Sequence, residues 1–304
     1  MSSKIKILEV LNSSNHSTEP STHLTYASYL SNLLIRMGVV KTHLEFLLDP
    51  DNSDSIIRFV QSDPAYNNPG SKSVLFSALL KITGQDVYRD IVKDLRTDID
   101  TRSFQQKQLP SRIGKELTQN QISEIHSTAV NAFQTLFVAR APVNRIISAA
   151  TDALITGLMS GVYPICPPRR LQEYLELQLH GQNLGENYFN KSRTAMVFNK
   201  HKNSKWTGAE TLPFPPQLAE PLEFLASVRP KRLYLFMNNR GDKFSKAALS
   251  NKLTRTYGFS VDMLRSLFIT EHNKNSTPLL QNIDLAKKMG HSVRTQHVNY
   301  TKKN

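Results

Sequence analysis

From Thr22 onward, Leu24, Tyr26, Tyr29, Leu30, Leu33, Leu34 and Met37 return every three or four residues. That spacing gathers apolar side chains on one face of a helix. Shorter amphipathic stretches follow at Thr42–Leu48, Ser55–Gln61, Lys72–Lys81 and Val87–Asp94. They are separated by Asp49-Pro50-Asp51, Asp63-Pro64 and Asn67-Asn68-Pro69-Gly70, residues that stop helices and open turns. The pattern predicts a small all-helical domain of four or five helices over residues 21–110. Ahead of it, residues 1–20 are polar after a short apolar patch (Ile5, Ile7, Leu8, Val10) and read as a flexible arm. Behind it, the polar stretch Asp98–Lys115 reads as a linker.

The second domain, residues 111–304, opens with two long helical patterns, near Thr118–Ala139 and Val143–Ser160. Pro167-Pro168 is expected to start a short helix, because proline fits a first turn, where its missing N–H costs nothing. Thr194–Phe198 has the β-branched and aromatic character of a strand, followed by a polar, Lys-rich hairpin and Leu212–Phe214. Beyond Pro216 come a helix, a short apolar run at Leu233–Met237, and four more helices near Ser245–Tyr257, Val261–His272, Ile283–Met289 and Ser292–Lys302. The fold expected is mainly α with a small β-sheet: a helical domain followed by an α+β domain.

Composition narrows the class. The 304 residues are 39 % hydrophobic, as in an ordinary globular protein. One cysteine excludes an intramolecular disulfide framework and a Cys-rich zinc site. No apolar run reaches the length of a membrane span, and Glu9 interrupts the place where a secretory signal needs its apolar core. An intracellular protein with no membrane partner is expected. The net charge is +13. Residues 1–110 carry 12 basic and 12 acidic side chains, so the whole excess falls in residues 111–304. A basic domain joined to a neutral one points to a polyanion, most simply nucleic acid.

Four segments of the basic domain carry candidate chemistry. Arg169-Arg170-Leu171-Gln172-Glu173 places arginine at a helix start with an acid three or four residues on. Asp262-Met263-Leu264-Arg265 places a second arginine on an amphipathic helix. In Met289-Gly290-His291-Ser292, Gly290 suits a helix end and Ser292 a helix cap. Tyr300 follows nine residues after His291, and Lys200, Lys202 and Lys205 lie in the turn of the hairpin. Together these are parts for holding a phosphodiester while a tyrosine attacks it. Two guanidiniums grip non-bridging oxygens in fork geometry, and a histidine adds a donor where transition-state charge develops. In that chemistry the phenol would be the nucleophile, and a lysine would donate the proton to the departing 5′ oxygen. No carboxylate cluster with metal-site spacing and no Walker-type loop occurs, so no cofactor or metal is expected.

The ordered set resembles the catalytic domain of tyrosine recombinases, the phage-integrase-like enzymes that break and rejoin DNA, over residues 150–304. Among them it is most similar to integrases of virophages and related eukaryotic DNA viruses and mobile elements. The family's first box, Gly-x-Arg-x-x-Glu-Leu, is matched in its second half by Arg170-Leu171-Gln172-Glu173-Tyr174. The resemblance therefore makes Arg170, not Arg169, the first active-site arginine, with Glu173 bracing it. The second box, His-x-Leu-Arg-His-x-Phe-x-Thr, corresponds to Asp262-Met263-Leu264-Arg265-Ser266-Leu267-Phe268-Ile269-Thr270, and the third to Met289-Gly290-His291-Ser292, Thr295 and Tyr300.

What the resemblance implies is a site-specific recombinase or integrase working through a 3′-phosphotyrosyl intermediate. Its partners would be double-stranded DNA and further copies of itself, as dimer or tetramer on DNA, in a host nucleus or a viral replication site. The N-terminal helical region would be the core-binding domain that clamps the duplex. Tyr300 is the implied nucleophile, Arg170, Arg265 and His291 the implied phosphate donors, and Lys202 the implied general acid, with Lys200 the second choice. The sequence departs from the family where Asp262 and Ser266 replace two histidines. Asp262 is expected to accept a proton from Tyr300 or to hold Arg265. Two alternatives stand beside this reading: a DNA-binding protein of the same fold whose chemistry has lapsed, and a type IB topoisomerase.

Overall fold

The computed structural model describes residues 3–13, 20–39, 44–105, 114, 117–179, 185–228, 232–238, 240–274 and 279–296. The chain divides between Gln105 and Gln106 into two compact units.

The first unit is helical throughout its described residues: α1 (Ser3–Ser13), α2 (Pro20–Arg36), α3 (Glu45–Leu48), α4 (Ser53–Ser62), α5 (Pro69–Thr83) and α6 (Asp86–Phe104). Its boundaries follow local chemistry. Asn68 caps α5 by accepting from the Gly70 N–H at 2.8 Å, with Pro69 in the first turn, and Gly84 ends the helix in the left-handed region. Ala27, Leu30, Leu33 and Leu34 of α2 pack with Leu75, Phe76 and Leu79 of α5. Two expectations are corrected here. Residues 3–13 are not an arm: they form α1, whose Ile7 and Leu11 are fully buried in this core. The linker expected from Asp98 is helical as far as Phe104, because polar residues with adequate helix propensity extend an exposed helix as readily as they make a loop. Residues 106–113, 115 and 116 of the expected linker lie outside the described residues.

In the second unit, α7 (Gln119–Val138) begins at a capping box made by Thr118 and Gln121. The next helix, α8 (Val143–Ser160), is apolar on nearly every face and runs through the core, packed against α7. A short α9 (Leu171–Leu175) leads into a four-stranded sheet in the order β1 (Leu177–Gln178), β2 (Asn187–Phe189), β3 (Ala195–Phe198) and β4 (Glu210–Pro213). The first pair is parallel and the others antiparallel, with Phe198 opposite Glu210 in the last. Between β3 and β4 lies the lysine turn, which holds a single helical turn, α10 (Ser204–Thr207). Four helices follow in the described residues before the final turn: α11 (Ala219–Ser227), α12 (Lys246–Tyr257), α13 (Val261–Lys274) and α14 (Leu279–Lys288). The last described element is α15 (Val293–Thr295), capped by Ser292. The remainder of the helix expected to reach Lys302 lies outside the described residues.

One start differs from expectation. Pro167-Pro168 does not open a helix; α9 begins at Leu171 with Arg170 in extended conformation before it. Burial explains the shift. Arg169 is wholly enclosed, and the Tyr174 hydroxyl ties α9 to α8 by donating to the Leu158 carbonyl at 2.8 Å while lying 3.4 Å from the Arg169 N–H. Among the described residues, no helix is long and apolar enough to cross a membrane.

Candidate active site

The site is organised around the end of α14. Gly290 takes φ +67°, and the N–H groups of Gly290 and His291 return to the carbonyls of Lys287 and Ala286 at 2.8 and 3.0 Å. This is the Schellman ending of a helix, and it leaves the carbonyls of residues 288–290 needing donors. Arginines from two other segments supply them. Arg169 Nη1 donates to Lys288 O at 2.6 Å, Arg265 Nη2 to Met289 O at 3.1 Å, and Arg170 Nη1 to Gly290 O at 2.6 Å. Asn203, from the lysine turn, donates to the same Gly290 carbonyl at 3.0 Å. Cationic donors suit a helix C-terminus, where the backbone dipole is negative. The first box, the second box, the lysine turn and the Gly-His turn therefore meet at one place.

The two adjacent arginines differ. Arg169 is fully buried, with Nε donating to Glu173, Nη1 donating to Glu210 at 2.7 Å, and its guanidinium carbon 4.4 Å from the Phe198 ring centroid. Burial opposes its charge, but Glu173 and Glu210 together hold its pKa above the ordinary value. Arg170 keeps 23 % of its side chain exposed, so it is the guanidinium that a polyanion can reach. Glu173 braces both, but unequally: its ion pair with Arg169 is close, whereas Arg170 stands at 3.5 Å. The bracing expected for Arg170 is thus corrected to a primary partnership with Arg169.

Arg265 is fully buried beneath the turn, so contact between its guanidinium and any external anion requires the site to open. Asp262, in the first turn of α13, stands 3.8 Å from Arg265 Nη1 with its own side chain 62 % exposed. That spacing allows attraction but is too long for a hydrogen bond. His291 is buried, and burial first, then the nearby Arg265, lowers its pKa to about 3. Its ring is therefore neutral at neutral pH. Nδ1 faces the Ser292 carbonyl at 3.2 Å, and a carbonyl only accepts, so the proton sits on Nδ1. His291 donates through Nε2 only after taking up a proton, which an incoming phosphate anion favours.

The two lysines are also distinguished. Lys200 is held by Glu186, and that hydrogen bond raises its pKa, making it a poorer proton donor. Lys202, two residues on and beside Asn203, is exposed and makes no ion pair among the described residues. Tyr300 lies outside the described residues; the described chain reaches Gln296, with Thr295 capped back onto Ser292 Oγ at 3.1 Å. Cys166, the one thiol, is buried, and burial pushes its pKa up to about 12.

Sequence reasoning did not single out Asn203 or Glu210, and it set Arg169 aside. Asn203 stood next to the chosen lysine, but nothing in its spacing announced a backbone partner 87 residues away. Glu210, an acid at the start of a strand that closes a basic turn, was the one local irregularity that could have marked a buried partner for arginine. No family model, no curated protein and no solved structure matches this chain.

Proposed function

We propose that the protein is a DNA strand transferase of the tyrosine-recombinase type, cutting and rejoining DNA through a 3′-phosphotyrosyl intermediate. The observation that carries this reading is the meeting of Arg170, Arg265, His291 and the turn bearing Lys202 around one helix end, from segments far apart in sequence. Three guanidiniums, drawn from two separate segments, gather at this turn, one on each of the carbonyls of residues 288–290.

In the proposed reaction the Tyr300 oxygen attacks the scissile phosphorus, forming the P–O(Tyr) bond as the bond to the 5′ oxygen breaks. Lys202 gives its proton to the departing 5′ oxygen. The phenol's proton passes to an acceptor, for which neutral His291 and Asp262 are the two candidates. Arg170 grips the non-bridging oxygens directly, and Arg265 joins it once the site opens. Such fixed donors matter most where charge develops in the transition state. Rejoining is the reverse, with a 5′ hydroxyl attacking the phosphotyrosine. Double-stranded DNA is the proposed partner, with self-association as dimer or tetramer on it, and the helical first unit as the proposed second half of the clamp.

The competing reading, a DNA-binding protein whose chemistry has lapsed, rests on Asp262 standing where the family has histidine. Incubation with nicked duplexes that trap cleavage tests the proposal. A covalent protein–DNA adduct formed without ATP supports it, and binding with no adduct favours the lapsed reading. Strand exchange between two duplexes then separates a recombinase from a type IB topoisomerase.

A further inference from the structure

Arg169 joins three parts of the site that the sequence keeps apart. Its Nη1 reaches Glu210 at 2.7 Å and Lys288 O at 2.6 Å, its Nε reaches Glu173, and its guanidinium lies over the Phe198 ring. Phe198 and Glu210 are cross-strand partners, the last residue of β3 and the first of β4. They form the base of the turn that carries Lys202: the chain enters it after Phe198 and leaves it at Glu210. Lys288 lies three residues before His291, and Arg170 follows Arg169 directly. One guanidinium thus touches the base of the lysine turn, the start of α9 and the end of α14.

We propose that the Arg169–Glu210 pair is a positioning device that sets the lysine turn against the arginine and histidine turn, so that Glu210 acts on the reaction through Lys202. This rests on the function proposed above. The pair is poorly built for stability alone. Arg169 Nη2 and Glu210 Oε1 are each buried with no hydrogen-bond partner among the described residues. A buried ion pair with unsatisfied atoms gains little over apolar packing of the same volume. What it supplies is direction: a guanidinium in fixed contact with two strands and a helix end leaves the turn one way to sit. Asn203 repeats the coupling nearer the tip by donating to Gly290 O.

The test exploits the proton that Lys202 must give. A duplex with sulfur in place of the bridging 5′ oxygen leaves as a thiolate, which needs no proton from the protein. Glu210→Gln is expected to slow adduct formation on the oxygen duplex by about 10-fold or more. On the sulfur duplex it should stay close to the wild-type rate, while Arg170→Ala remains slow on both. Glu210→Asp should recover part of the oxygen rate. Equal slowing on both duplexes, or no slowing on either, overturns the inference while leaving the proposed function standing. A wild-type protein that cleaves neither duplex overturns both. If Glu210→Gln fails to fold, Glu210→Asp is read in its place, since it keeps a carboxylate for Arg169 on a shorter side chain. It is expected to be slower than the wild type on the oxygen duplex and close to it on the sulfur duplex, and equal slowing on the two overturns the inference.

Discussion

Arg170 donates from Nη1 to the carbonyl of Gly290 at 2.6 Å, across 120 positions of sequence. The bond fixes a partly exposed guanidinium beside His291, and it depends on a backbone conformation that only glycine adopts without strain. A Cβ at Gly290 would stand 3.1 Å from Arg169 Nη2 and 3.3 Å from Arg170 Nη1.

Gly290→Ala should therefore cost about 1–2 kcal/mol of stability through the left-handed backbone alone, and displace the two guanidiniums besides. Chemical denaturation and adduct kinetics measured together check this. A variant with wild-type stability and rate would contradict the geometry described for the turn.

Arg169 and Arg170 should separate cleanly. Arg169→Ala leaves the buried Glu173 and Glu210 without their main partner and should lose about 3–5 kcal/mol of stability, the cost of breaking a buried ion pair. Arg170→Ala should melt near the wild type yet form adduct about 10²-fold more slowly, the scale of losing one transition-state donor. Reversal of the two phenotypes would exchange their assigned roles.

His291 gives a pH signature. Its pKa is near 3 in the folded chain and about 6.5 when unfolded. Between those values the unfolded chain binds the extra proton, so stability rises with pH across that window. The contribution is fully present above about 6.5 and is lost as the pH falls toward 3. His126 and His272 are also lowered by burial and act in the same direction, so the comparison needed is with a variant. The difference in melting temperature between pH 8 and pH 5 should be smaller in His291→Gln than in the wild type. An unchanged difference would mean that His291 is not held neutral by burial and Arg265.

Asp262 divides the active from the lapsed reading. Exposed and 3.8 Å from Arg265, it contributes little to stability, so Asp262→Ala should leave melting unchanged. If it serves the reaction, Asp262→Ala lowers adduct yield over about pH 6 to 9 while Asp262→His preserves or raises it. An active wild type indifferent to both substitutions would leave Asp262 no part in the chemistry.

Much of this was legible in the sequence, and what was not has physical reasons. The range Val143–Ser160 was readable because Ala141-Pro142 precedes it and Gly161 follows it, so both ends are punctuated. Asp98–Phe104 was misread because exposed helix and loop share the same polar composition. Residues 3–13 were misread because an apolar patch of four residues does not say whether a core awaits it. Arg170, Arg265 and His291 were singled out through their resemblance to the boxes of a known family, and the structure brings the three to one helix end. The Arg169–Glu210 contact could not be found that way, because a pair 41 residues apart is set by strand register and helix placement, which no local pattern encodes.

The central claim is that Tyr300 becomes covalently joined to a 3′ phosphate. Wild-type protein should be trapped on nicked duplexes, digested, and searched by mass for the peptide that carries nucleotide. The account predicts that this peptide contains Tyr300, and that Tyr300→Phe binds and melts like the wild type but yields no adduct. Nucleotide on another residue, or adduct surviving in Tyr300→Phe, would contradict it.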